Sequence, residues 1–111
     1  MSIPRSLPLF LRINGHRYDI IERPRGVIGS TADINPHTLS IRVSDDLSPT
    51  MAAQTLIHEA LHGMLEPVFP LIGAADDEGI VRLLESPLTR FLADNPEFLS
   101  WVAAAFAPPS H

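Results

Sequence analysis

Two histidines and a glutamate lie close together in the stretch TLIHEALHGML, residues 55–65. His58, Glu59 and His62 form the pattern His-Glu-x-x-His, and the apolar residues around them have helical spacing. On a helix, side chains four residues apart lie on the same face, so both imidazoles can bind one metal ion at about 2.0 to 2.1 Å. Glu59 lies about 100° further round the helix, where its carboxylate can accept a proton from a metal-bound water.

The alternative is that the two histidines are ordinary helix residues. Their neighbours are apolar, and burying two unpaired imidazoles there would cost free energy. Three specified residues within five, on a predicted helix, therefore favour a metal site. The chain has no cysteine, so the metal must be held by histidine and carboxylate ligands, and zinc is the expected cofactor.

A catalytic zinc takes three protein ligands and leaves its fourth position to water. Glu66 continues the spacing of the pair, but it is about 12 Å along the helix axis from His58, too far to share one ion with both histidines. Glu78, at the margin of the apolar face of the next helix, is the predicted third ligand. Asp77 is the alternative, and either acid can instead simply favour the helix N-terminus. The full set of candidates is Glu66, Asp76, Asp77, Glu78, Glu85, His16 and His37.

The elements that must position these residues begin with two hairpins. Residues 9–21 alternate apolar and polar side chains on both sides of Asn14-Gly15, a dipeptide that suits a type I′ turn. Residues 26–44 contain a turn at Asn35-Pro36, followed by a second alternating run. The pattern predicts an antiparallel sheet of three to four strands.

Three helices are predicted after the sheet. Ser48 as N-cap and Pro49 at the first position open a helix that ends at Glu66, and residues 67–75 form a loop. A second helix begins near Asp76, which suits an N-cap, meets a break or kink at Pro87 and continues to residue 95. A last helix follows over residues 96–106. The predicted fold class is α+β.

Size and charge limit the alternatives. With 111 residues, the chain is predicted to form a single domain over residues 1–111. A net charge of −5 and the lack of a basic cluster argue against nucleic acid as a partner. No stretch approaches the roughly 20 apolar residues of a membrane span, and no signal peptide is evident, so a cytoplasmic protein is expected.

The order of sheet, His-Glu-x-x-His helix and acidic second helix resembles gluzincin-type zinc metallopeptidases, in particular the ImmA/IrrE-like and phage-encoded minimal metallopeptidase domains. Residues 30–64 and 76–99 carry the likeness. The resemblance implies a zincin-like fold, a peptide or protein substrate, Glu59 as general base, and zinc bound by His58, His62 and Glu78. It also implies that the strand over residues 38–44 offers an edge to an extended peptide.

One departure from the family pattern affects the ligands. Many gluzincins have an aspartate four residues after the downstream ligand, and Arg82 occupies that position here. Three residues are candidates for stabilising the developing oxyanion, provided that folding brings them to the cleft: Tyr18, His37 and Arg82.

A non-catalytic module is the rival interpretation. Zinc would then staple the helices of a small protein, which would bind partners through an edge strand or an apolar surface. The apolar stripe on the last helix, formed by Phe98, Trp101 and Phe106, is explained most simply as core, and a homodimer interface is its alternative use. Glu59 favours the enzyme, because a purely structural site has no need of a carboxylate at that position.

Overall fold

The computed structural model describes residues 7–108. The protein is α+β, with a four-stranded sheet in the order β1-β2-β4-β3. The strands are β1 (Phe10–Ile13), β2 (His16–Arg23), β3 (Ala32–Asn35) and β4 (Ser40–Ser44). The helices are α1 (Arg25–Ile28), α2 (Pro49–Leu65), α3 (Phe69–Ile72), α4 (Asp77–Asp94) and α5 (Pro96–Phe106).

Both predicted hairpins are confirmed. β1 pairs antiparallel with β2 around Asn14 and Gly15, which have φ of 52° and 84°, as a type I′ turn requires. β3 pairs antiparallel with β4, with Ala32 opposite Val43.

The prediction of a wholly antiparallel sheet is wrong, because β2 and β4 pair in parallel. After β2 the chain passes through residues 24–31, which include the unpredicted helix α1, and forms β3 at the edge of the sheet. It then turns back, and β4 lies between β2 and β3. β4 therefore lies inside the sheet. The edge beside α2 is β3, not the strand that was expected over residues 38–44.

The helices follow the prediction at their caps and depart from it between them. The Ser48 hydroxyl accepts a hydrogen bond from the Met51 amide at 3.3 Å, and Asp76 caps α4 by accepting from the Gly79 amide at 2.8 Å. The predicted loop over residues 67–75 contains a 3-10 turn (Glu66–Val68) and α3. α4 does not end at Pro87, which lies inside it.

The core lies between α2 and one face of the sheet. The most completely buried large side chains are Leu11, Ile13, Ile41, Val43 and Leu56. α2 comes closest to the sheet at Gly63, where an added Cβ would lie 3.0 Å from Ile34 Cδ1. Within residues 7–108, no helix has both the length and the apolar character needed to span a membrane.

Candidate metal centre and cleft

The α2 helix presents the two histidines together. Their Nε2 atoms are 3.1 Å apart, and the rings meet edge to face with centroids separated by 4.8 Å. Two nitrogens that bind one tetrahedral zinc ion are about 3.3 Å apart, so this pair fits a shared ion. His58 has 67% of its side chain exposed. The expectation that apolar surroundings would bury the imidazoles is therefore wrong, since both lie on the open side of the helix.

Glu59 is the buried polar group of the motif, with only 7% of the residue exposed. Its Oε2 lies 3.9 Å from His58 Nε2. Burial raises the pKa of the Glu59 carboxyl, because the charged form loses hydration, and the two neighbouring imidazoles partly oppose that shift. A carboxylate with a raised pKa is a stronger base than an ordinary carboxylate, so it accepts a proton more readily.

Glu78, the predicted third ligand, is paired with an arginine. Glu78 is 70% exposed, and its Oε1 accepts a hydrogen bond from Arg82 Nε at 3.3 Å. Asp77 is also exposed in the first turn of α4. Over residues 7–108, no three histidine or acidic side chains are grouped closely enough to hold a metal ion. The two histidines alone fit the ion, and Glu78 as third ligand stays a prediction.

The three residues considered for stabilising an oxyanion lie in two separate parts of the structure. Tyr18 and His37 line a cavity beside the C-terminal end of α2, together with His16 and Glu66. Arg82 lies on α4 in its ion pair with Glu78.

A cleft separates α2 from β3. Its first part is a cavity of about 490 Å³ between the start of β3 and the first three turns of α2. Because ladder hydrogen bonds alternate along an antiparallel strand, and Thr31 O accepts from Ser44 N, Ala32 and Ile34 direct their backbone groups away from β4. The residues that line this cavity are Ser30, Thr31, Ala32, Met51, Gln54, Thr55, His58 and Glu59.

The sequence interpretation missed this strand as the wall of the site. The strand has only four residues, and its apolar positions, Ala32 and Ile34, resemble those of any half-buried strand. Its place at the edge depends on how the two hairpins combine, and no local signal records that.

No family model matches the chain, and comparisons with curated proteins and with solved structures give no match either. Assignment of a function therefore depends on the residues of the site.

Proposed function

We propose that the protein is a zinc-dependent metallopeptidase related to the small gluzincin-type domains. The observation that carries the proposal is the arrangement on α2: two imidazole nitrogens 3.1 Å apart, with the buried Glu59 carboxylate beside them. His58 and Glu59 line the cavity between α2 and the edge strand β3. Chance placement of two histidines on a helix does not account for a carboxylate that is buried next to them.

His58 and His62 would hold the zinc ion, with Glu78 as the third ligand. α4 packs on α2, and the exposed contact between Glu78 and Arg82 costs little to open. Bound zinc supplies a water of lowered pKa and polarises a carbonyl oxygen. Glu59 accepts the proton of the attacking water and returns it to the leaving amine, a role that its raised pKa supports.

The cleft would hold the substrate as an extended peptide. Ala32 and Ile34 offer outward amide and carbonyl groups, so a peptide can add to β3 as a further strand. α2 runs beside β3, from the cavity near Thr31 to the close contact of Gly63 with Ile34. A peptide on this edge would pass the two histidines.

The test compares wild-type protein with His58→Ala and Glu59→Gln. Zinc content, melting temperature and cleavage of a peptide library are measured in parallel. His58→Ala should lose zinc, cleavage and the rise in melting temperature on adding zinc. Glu59→Gln should keep zinc and lose about 10²- to 10⁴-fold in cleavage rate, since only the base is removed.

Glu22→Gln is the matched control for Glu59→Gln. It makes the same chemical change on an exposed residue of β2 and should leave zinc content and cleavage unchanged. Wild-type protein that takes up no zinc would refute the proposal. Zinc binding without cleavage of any peptide would favour the zinc-stapled binding module instead.

A further inference from the structure

A second cavity lies at the far end of the cleft, where both hairpin turns meet the C-terminal end of α2. Its volume is about 370 Å³. Ile13 and Leu39 are among its apolar lining residues, and five polar residues line it: Asn14, His16, Tyr18, His37 and Glu66. Glu66 is one helical turn beyond His62, about 6 Å along the axis, so the cavity is next to the proposed reaction centre.

Tyr18 offers a hydrogen-bonding group to the cavity. Only 5% of the residue is exposed, but its hydroxyl, which makes no hydrogen bond within residues 7–108, is not one of the fully buried polar atoms and is accessible from the cavity. A hydroxyl that the fold leaves without a partner can accept a hydrogen bond from a ligand. Burial raises the pKa of the Tyr18 phenol, and the nearby charge of Glu66 raises it further, so the group stays protonated at neutral pH.

The charges at the cavity favour a cationic ligand. Glu66 is negative and makes no ion pair within the described part of the chain. The tyrosine oxygen can accept a hydrogen bond as well. Arg90 lies against Gly15 in the β1–β2 turn, and it is paired with Asp94 at 3.2 Å. The apolar walls suit the methylene stem of a long basic side chain.

We propose that this cavity receives a lysine or arginine side chain of a peptide that lies in the cleft, an inference that rests on the proposed peptidase function. A strand rises about 3.3 Å per residue, so a cavity about 6 Å from His62 falls within two residues of the scissile bond. Glu66 pairs with the cationic end, and the Tyr18 oxygen accepts one of its hydrogen bonds.

The cavity can be tested without metal or cleavage, because Tyr18 is the only tyrosine in the chain. Protein labelled with ¹³C-tyrosine gives one set of ring resonances, which is followed by NMR while butylguanidinium is added. Butylurea, of the same shape but uncharged, is the control ligand. Butylguanidinium should shift the Tyr18 signals in a saturable way, and butylurea should not.

Glu66→Gln should weaken this binding about fivefold, the upper range for an exposed charge pair. Glu22→Gln changes net charge equally from the opposite end of β2 and should leave binding unchanged. Equal shifts with both ligands, no shift at all, or unchanged affinity in Glu66→Gln would overturn the proposal.

The peptide library separates this proposal from the proposed function. Peptides cleaved by the wild type should be enriched in lysine or arginine within two residues of the cut, and Glu66→Gln should lose that preference. Cleavage without such a preference would refute the role of the cavity and leave the peptidase standing. Absence of cleavage, with Glu66-dependent binding of butylguanidinium, would refute the peptidase and the placement of a substrate side chain here, leaving only a cation site.

Discussion

Replacing Asn95 should destabilise the fold more than any exposed asparagine can. Asn95 joins α4 to α5, is 5% exposed, and holds the outer edge of β1. Its Oδ1 accepts from the Arg12 amide at 2.8 Å, and its Nδ2 donates to the Arg12 carbonyl at 2.8 Å and to the Phe91 carbonyl at 2.7 Å. The Asn95 side chain thus satisfies the amide and the carbonyl of Arg12, as a neighbouring strand would.

The expected loss for Asn95→Ala follows from these three hydrogen bonds. Each contributes about 1 kcal/mol net, so the free energy of unfolding should fall by about 3 kcal/mol. A domain of this length has about 5 to 15 kcal/mol in all. Asn95→Asp keeps the acceptor and sets a carboxylate against two carbonyls, so it should be as damaging at pH 7. Part of that loss should return when the pH falls far enough to protonate the carboxyl.

Asn35→Ala is the matched control. The Asn35 side chain also accepts two hydrogen bonds, from the amides of His37 and Thr38, but in an exposed turn where water can replace it. Its loss should cost about 1 kcal/mol or less. Urea unfolding followed by the fluorescence of Trp101, the only tryptophan, measures all three variants. Equal losses at positions 95 and 35 would refute the argument from burial.

Three further results are expected. Gly63→Ala should lower the free energy of unfolding by about 1 kcal/mol, because the new methyl meets packed sheet side chains at 3.0 to 3.3 Å. Gly73→Ala places its methyl in open space and should leave the free energy of unfolding unchanged. The midpoints of urea unfolding compare the two variants. Glu78→Gln should weaken zinc affinity more than Asp77→Asn in a competition titration, and a reversed order would move the ligand to Asp77. The salt bridge from Arg42 lowers the pKa of Asp33, so its stabilisation is present above the ordinary carboxyl pKa and is lost as pH falls through the lowered value. The difference in urea stability between wild type and Asp33→Asn should therefore begin to shrink near about pH 4 and vanish only at lower pH.

The parts of the fold that the sequence predicted are those decided by neighbouring residues. Gly15 adopts positive φ because it has no Cβ, and Asn14 is one of the few other residue types that tolerate it, and that fixes the first hairpin. Ser48 caps α2 because its hydroxyl meets an amide three residues later, and Asp76 caps α4 in the same way. Each of these interactions spans only a few residues.

The sheet order needed information that local patterns do not contain. Either strand of the second hairpin alternates well enough to pair with β2, and alternation says nothing about direction. Ile34 and Val43 face the same core, so burial alone does not choose between β3 and β4 as the inner strand. Packing beneath α2 and the path of residues 24–31 decide which of the two is the inner strand. They therefore also decide which strand forms one wall of the cleft.

The candidate site also has one part that neighbouring residues decide and another that depends on the tertiary fold. The helix period alone brings His58 and His62 together, whereas the position of Glu78 depends on residues 66–75, which coil into a 3-10 turn and α3 instead of an open loop. A coiled segment rises about 1.5 to 2 Å per residue and an extended one about 3.3 Å, so the start of α4 cannot be placed from sequence.

Burial costs free energy at Glu59, whereas the sequence led us to expect that cost at the two histidines. Exposed imidazoles lose little hydration, so the histidines alone would be weak support for a function. The Glu59 carboxylate loses most of its hydration, and the imidazole nitrogen beside it, His58 Nε2, is 3.9 Å away. An apolar residue at position 59 would pack against the core without that cost. A stabilised positive charge beside the carboxylate removes the disadvantage, and a metal ion held by the two histidines would provide one.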